Sequence, residues 1–155
     1  MVHHRPSIFL AGLFALATLA RADAPAAARY CEVAMELSID GRRIAAPSAI
    51  VEFGKEAEIT IGDEAAHAWR FRILADEPTV VRRASVIPVS VGLYEVAEGR
   101  EYLRASPDVK LAPGQRADVE TIFPDGDGRS AHIAMVANPR SDAEIEALRA
   151  DAGED

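Results

Sequence analysis

Cysteine is nearly missing: the chain of 155 residues has one, Cys31, so no intramolecular disulfide can staple it. Positive charge is scarce as well. Lys and Arg number 17 against 25 Asp and Glu, a formal charge of -8 that leaves no electrostatic footprint for DNA or RNA. No segment is apolar enough to span a membrane. The uncharged run IFLAGLFALATLA at 8–20 falls short of the about 20 residues a bilayer requires. Imidazoles are few: beyond residue 26 only His67 and His132 remain. A hydrolytic triad would need one of them beside a nucleophile and a carboxylate. Cys31 falls on the apolar face of its strand, and Ser85, Ser90, Ser106 and Ser130 carry no motif. The sequence therefore predicts a non-catalytic protein without a cofactor.

What is present starts with the amino terminus. His3, His4 and Arg5 precede the apolar run and small residues follow it, the order of an export signal within 1–26. Arg29 and Tyr30 stand directly before Cys31, so the cysteine lacks the small-residue context of a lipidation site. The expected location is the periplasm or the outside of the cell.

After Arg29 the apolar residues recur with period two, the mark of half-buried strands. Cys31, Val33, Met35, Leu37 and Ile39 form one row, ending at the turn signal Asp40-Gly41. Ala49, Val51 and Phe53 lead through Gly54-Lys55 to Ala57, Ile59 and Ile61, which predicts a type II′ hairpin. Trp69, Phe71 and Ile73 form the next row, then Ile87, Val89, Val91 and Leu93 running toward Val96. Pro88 predicts an irregular start or an edge position for that strand. Val109 and Leu111, then Ala117 and Val119, then Ala131, Ile133 and Met135 complete the pattern. Ser141 with Glu144 resembles a capping box and predicts a short helix in an acidic 141–155 segment.

The chain also repeats itself. PSAIVEFGKEAEITI from Pro47 aligns with PDVKLAPGQRADVET from Pro107, so that Pro47/Pro107, Gly54/Gly114 and Ala57/Ala117 are each 60 residues apart. His67 and His132 follow the two units with a shift of five. Two pseudo-repeated hairpin units in one sandwich are the expectation, and two units are too few for a solenoid.

Candidate functional residues follow from the strand pattern. Trp69, the single tryptophan, reads as a core anchor, with Arg70 and Arg72 on the opposite face of its strand. Together with Arg82 and Arg83 these arginines predict a positive patch on an acidic protein, a binding surface. The segment 79–85 reads as an uncovered sheet edge able to accept a partner strand. A metal site from His67, His132 and Asp63 is the alternative, reachable only if the two histidines converge. Asp125-Gly126-Asp127-Gly128 resembles part of a calcium loop, but Arg129 occupies the next ligand position and no glutamate closes the loop, so a hairpin turn is expected.

The stretch MELSIDGRRIAAPSAIVEFGKEAEITIG, at 35–62, resembles segments of small exported bacterial proteins of unknown function. Its strand–DG–strand phrase followed by G-x-x-A-x-I is similar to periplasmic parts of sensor-protease proteins and to a hairpin of outer-membrane secretins. The likeness covers 35–62 and faintly 107–121. It implies an envelope location and a binding or assembly role; pore formation does not carry over, because no span is present. The sequence thus predicts an all-β protein, an antiparallel β-sandwich of seven to eight strands over 27–140 with a short C-terminal helix. Its expected partner is an envelope protein, and the alternative is a small ligand or metal held by His67 and His132.

Overall fold

The computed structural model describes residues 27–151. The expected export signal at 1–26 lies outside them.

Two antiparallel sheets face each other. The first contains β1 (Tyr30–Ile39), β2 (Arg42–Ala45), β3 (Ser48–Glu52), β10 (Arg116–Ile122) and β11 (Ser130–Arg140). The second contains β4 (Glu56–Asp63), β5 (His67–Ala75), β6 (Thr79–Val81), β7 (Ala84–Ala97), β8 (Arg100–Ala105) and β9 (Asp108–Leu111). A helix, α1 (Asp142–Asp151), follows. The eleven strands exceed the seven to eight expected. Two of the additional segments arise because Pro47 and Pro107 interrupt edge strands, splitting β2 from β3 and β8 from β9. The chain still runs continuously along the edge there: Met35 N–H donates to Pro47 O at 2.8 Å, and Val91 N–H donates to Pro107 O at 3.0 Å.

The core is the inward row of each strand. Val33, Leu37, Phe71, Ile73, Ile87, Leu93 and Ile133 are fully buried between the sheets. Alternation and burial agree because each sheet has one wet face. Pro88 sits neither at an edge nor at a strand start. It lies inside β7, paired with Lys110 of β9. The missing donor is tolerated because Pro88 faces the bend at 76–78 on its other side, where its carbonyl accepts from Asp76 N–H at 3.0 Å.

The internal repeat holds in the strand register, but the units are not hairpins. β3 pairs with β1 in the first sheet, whereas β4 pairs with β5 in the second. β9 pairs with β7 in the second sheet, whereas β10 pairs with β11 in the first. Each unit is therefore a corner where the chain changes sheets, in opposite directions. Both corners use the same turn. Lys55 N–H donates to Glu52 O and Gln115 N–H to Ala112 O, both at 3.0 Å, with Gly54 and Gly114 third at φ 75° and 73°. Positive φ at the third residue alone is the type II pattern, not type II′. Each glycine N–H then donates to a carbonyl of the other sheet's strand, Ala75 and Ala137 respectively.

The equivalence extends to whole halves. Met35 opposite Met135 matches Val91 opposite Ile73, and Ile39 opposite Ala131 matches Glu95 opposite Trp69. Even the irregularities recur: a β-bulge follows Leu37 where β1 meets β2, and another follows Leu93 where β7 meets β8. The bulged residues are Ile44 and Arg104.

Past the core the halves end differently. β11 leads into α1, whose capping box is formed as expected: Ser141 N–H donates to Glu144 Oε2 at 2.7 Å, and Glu144 N–H reaches Ser141 Oγ at 3.4 Å. Ile145 is buried, which docks the helix. β5 instead continues through a bend into β6, which pairs with Ala84–Val86 of β7 as a two-stranded ribbon.

Candidate functional site

The four predicted arginines do not form one patch. Arg70 and Arg72 face outward from β5, opposite Tyr94 and Gly92 of β7. Arg82 and Arg83 form the turn of the β6–β7 ribbon just before Ala84, which is itself ten positions along β7 from Tyr94, or about 33 Å of extended strand. Nor do Arg70 and Arg72 offer free charge. Arg70 Nη2 donates to Glu64 at 2.6 Å and Arg70 Nη1 to Glu101, while Glu58 lies at 3.3 Å. Arg72 donates to Glu58 and Glu101, each at 3.1 Å, and stacks on Tyr94 at 4.6 Å. The Glu64 bond holds the Arg70 guanidinium above its usual range and, reciprocally, holds Glu64 below the usual carboxylate range. This face of the second sheet is an arginine–glutamate network in which three carboxylates, Glu58, Glu64 and Glu101, more than offset the two guanidinium charges.

The histidines do not converge. His67 opens β5 in the second sheet, and His132 lies on the outer face of the first. The register explains it: β11 runs 62 residues ahead of β5, so the counterpart of His132 is Arg70 and that of His67 is Arg129. His132 Nε2 lies 3.1 Å from Asp118. Asp63 is opposite His67 in the ladder, but its Oδ1 accepts from Ala65 N–H at 2.9 Å and caps the turn. No group of three or more His, Cys, Asp or Glu side chains is placed to hold a metal among the described residues. The aspartates of 125–128 are likewise committed, Asp127 Oδ1 accepting from Arg129 N–H at 2.9 Å and Asp125 Oδ2 accepting from Arg104 Nη1. Cys31 is buried and unpaired, and loss of hydration pushes its thiol up to about 11.

A cluster unseen in the sequence lies at the end of the sandwich where β1 turns into β2 and β10 into β11. Its centre is Glu95, 7 % exposed, on the inward row of β7. His67 Nε2 donates to Glu95 Oε1 at 2.8 Å. Arg104, aimed by the bulge in β8, donates Nε to Glu95 Oε2 at 2.8 Å. Arg129 Nη1 lies 3.4 Å from the same oxygen. Burial alone would raise the Glu95 carboxyl, but the His67 and Arg104 bonds and the Arg129 charge prevail and hold it below the usual range. Phe123, nearly fully buried, carries both guanidinium groups on its ring, Arg104 and Arg129 each at 5.2 Å. Trp69 is buried as expected, yet it sits at this end, tilted against Phe123 at 6.2 Å and edge-on to His67 at 5.6 Å.

The sequence carried one signal for this site. Glu95 is in phase with Ile87, Val89, Val91 and Leu93, so the same alternation that defines the row places a carboxylate inside it. Beside the cluster opens a cavity of about 330 Å³, lined by Ile39, Asp40, Arg42, Ile44, His67, Trp69 and Arg129.

Comparison of the chain with protein-family models, with curated proteins and with solved structures returned no match. The functional reading rests on the geometry.

Proposed function

We propose that this is a non-catalytic binding protein of the cell envelope or exterior, which recruits a partner protein by accepting an acidic, extended segment along the β6–β7 ribbon. The observation that carries this reading is the ribbon itself. Residues 76–85 are all exposed, and Val80 shows 77 % of its surface. Beyond the hydrogen bonds to β7, the outer edge of β6 meets no other strand among the described residues. Such an edge is a template for strand addition.

The tip adds charge. Arg82 and Arg83 adopt φ 49° and 69°, consecutive left-handed residues. The comparable turns at 40–41 and 98–99 place glycine second, where this conformation is free of strain. Holding two arginines there costs about 1 kcal/mol or more per residue. Neither makes an ion pair with a described residue, in contrast to Arg70 and Arg72. Two unpaired cations beside an apolar edge match an acidic strand. An envelope location is supported by the apolar run at 8–20 with its basic start. No described helix is long and apolar enough to cross a membrane.

The test uses a photo-crosslinker at Val80 in the exported protein, compared with the same protein carrying Arg82→Asn and Arg83→Gly. That pair supplies the preferred turn residues, so the ribbon stays folded while its charge is lost. A crosslinked partner seen with the parent and lost in the double variant supports the reading. An unchanged crosslinking pattern, or none in either protein, overturns it.

A further inference from the structure

We infer that the cavity beside Glu95 is a binding site for a small carboxylate with an apolar body. This inference is independent of the ribbon and concerns the opposite end of the sandwich.

The floor is apolar: Ile39 and Trp69 are 5 % exposed, and Ile44, turned by the bulge in β2, is 43 % exposed at the mouth. The rim is polar, and its donors and acceptors are unequally committed. Asp40 Oδ1 accepts from Ser130 N–H at 2.9 Å, and its Oδ2 faces Arg129 at 3.5 Å. Both oxygens of Glu95 are occupied by His67 and Arg104. The acceptors at this site are therefore used internally. The donors are not. Arg42 makes no ion pair with a described residue, and Arg129 meets its two carboxylates only at 3.4 and 3.5 Å, with further N–H groups to spare. A guest that completes the hydrogen bonding must bring acceptors and negative charge, and a carboxylate fits the guanidinium fork. Its hydrocarbon part would cover Ile44 and the Trp69 face. The cavity volume of about 330 Å³ falls at the lower end for ligand sites, which sets the guest as small.

Trp69 is the only tryptophan, so its fluorescence reports on this wall alone. The probe is hexanoate, with hexanamide as the neutral isostere, titrated into the intact protein. The expected result is a saturable change in Trp69 emission with hexanoate and binding about tenfold weaker or less with hexanamide. Arg42→Ala, an exposed position, should weaken hexanoate about tenfold, and Arg42→Lys should retain part of the binding. The Arg82→Asn, Arg83→Gly protein should bind hexanoate as the parent does, which separates failure of this site from failure of the ribbon. A response that does not saturate, equal affinity for hexanamide, or an Arg42→Ala protein that binds as the parent does overturns the inference.

Discussion

Ile39 and Ile44 in the first half of the chain stand where Glu95 and Arg104 stand in the second. The backbone is the same at both places: equivalent ladder partners, the same bulge, and corners on Gly54 and Gly114. Trp69 of the first half likewise corresponds to Ala131 of the second. The exchange is complementary. One half supplies bulk and apolar surface, the other supplies an ion pair, and both meet at one end of the sandwich. A repeated backbone fixes where side chains point and leaves their chemistry open. Where that chemistry diverges on an inward row, packing alone does not account for the residues, and the divergence marks the candidate ligand site.

The comparison can be broken most severely at Trp69. Trp69→Ala gives both halves an alanine at this level and removes the partner of Phe123, so unfolding by urea should show a loss of about 3–5 kcal/mol. Glu95→Ala should cost about 3 kcal/mol, because the buried carboxylate that Arg104 and Arg129 share is gone and each keeps a single, more exposed partner, Asp125 and Asp40. Copying the first half into the second sharpens the point: Glu95→Ile with Arg104→Ile should recover most of that loss, since a matched apolar pair needs no desolvation. Failure of the double variant to exceed Glu95→Ala in urea midpoint would show that the halves are not interchangeable. The acid arm tests the same residue. The Glu95 carboxyl is held low in the folded protein, so its contribution is complete above the unfolded carboxylate range and is lost as pH falls through the folded value. The stability gap between the parent and Glu95→Gln should therefore be wide at neutral pH and narrow as pH falls through the unfolded carboxylate range and on through the lower folded value.

Smaller effects are expected where the halves agree. Gly54→Ala and Gly114→Ala both place a side chain at positive φ and should each cost about 1–2 kcal/mol, with nearly equal shifts in midpoint. A difference above about 1 kcal/mol would show that one corner carries more of the fold than the other. The smallest change is a gain. Arg82→Asn with Arg83→Gly relieves the only consecutive non-glycine pair at positive φ among the described residues and should raise stability by about 1 kcal/mol.

Much of this fold was legible from parity alone. The inward rows of β1, β5, β7 and β11 are the apolar rows of the sequence, and the capping box at Ser141 marked the helix start. β2 and β8 escaped because their residues are mostly exposed, so RRIA and REYLRA show no alternation to read. Sheet membership escaped for another reason. A Gly-centred turn between two alternating runs looks the same whether the chain folds back beside itself or crosses to the other sheet. That choice depends on whether β1 or β4 is the better neighbour for β3, which is a property of distant residues. Arg70 and Arg72 were correctly placed facing outward, but their neutralisation by Glu58, Glu64 and Glu101 required three strands to meet. Glu95 is in phase with the apolar row of β7, but a lone carboxylate there gives no hint of Arg104 or Arg129.

The pairing of β1 with β11 along ten consecutive residues has a consequence for synthesis. Of the described strands, the first to emerge receives one of its two neighbours last. Until Ser130–Arg140 has emerged, the apolar row from Cys31 to Ile39 has an open flank, while the second sheet, built from consecutive strands, already has all its members. The order of emergence thus completes the arginine–glutamate face early and holds the cavity open until the end, when Arg129 arrives with the turn that precedes the closing strand.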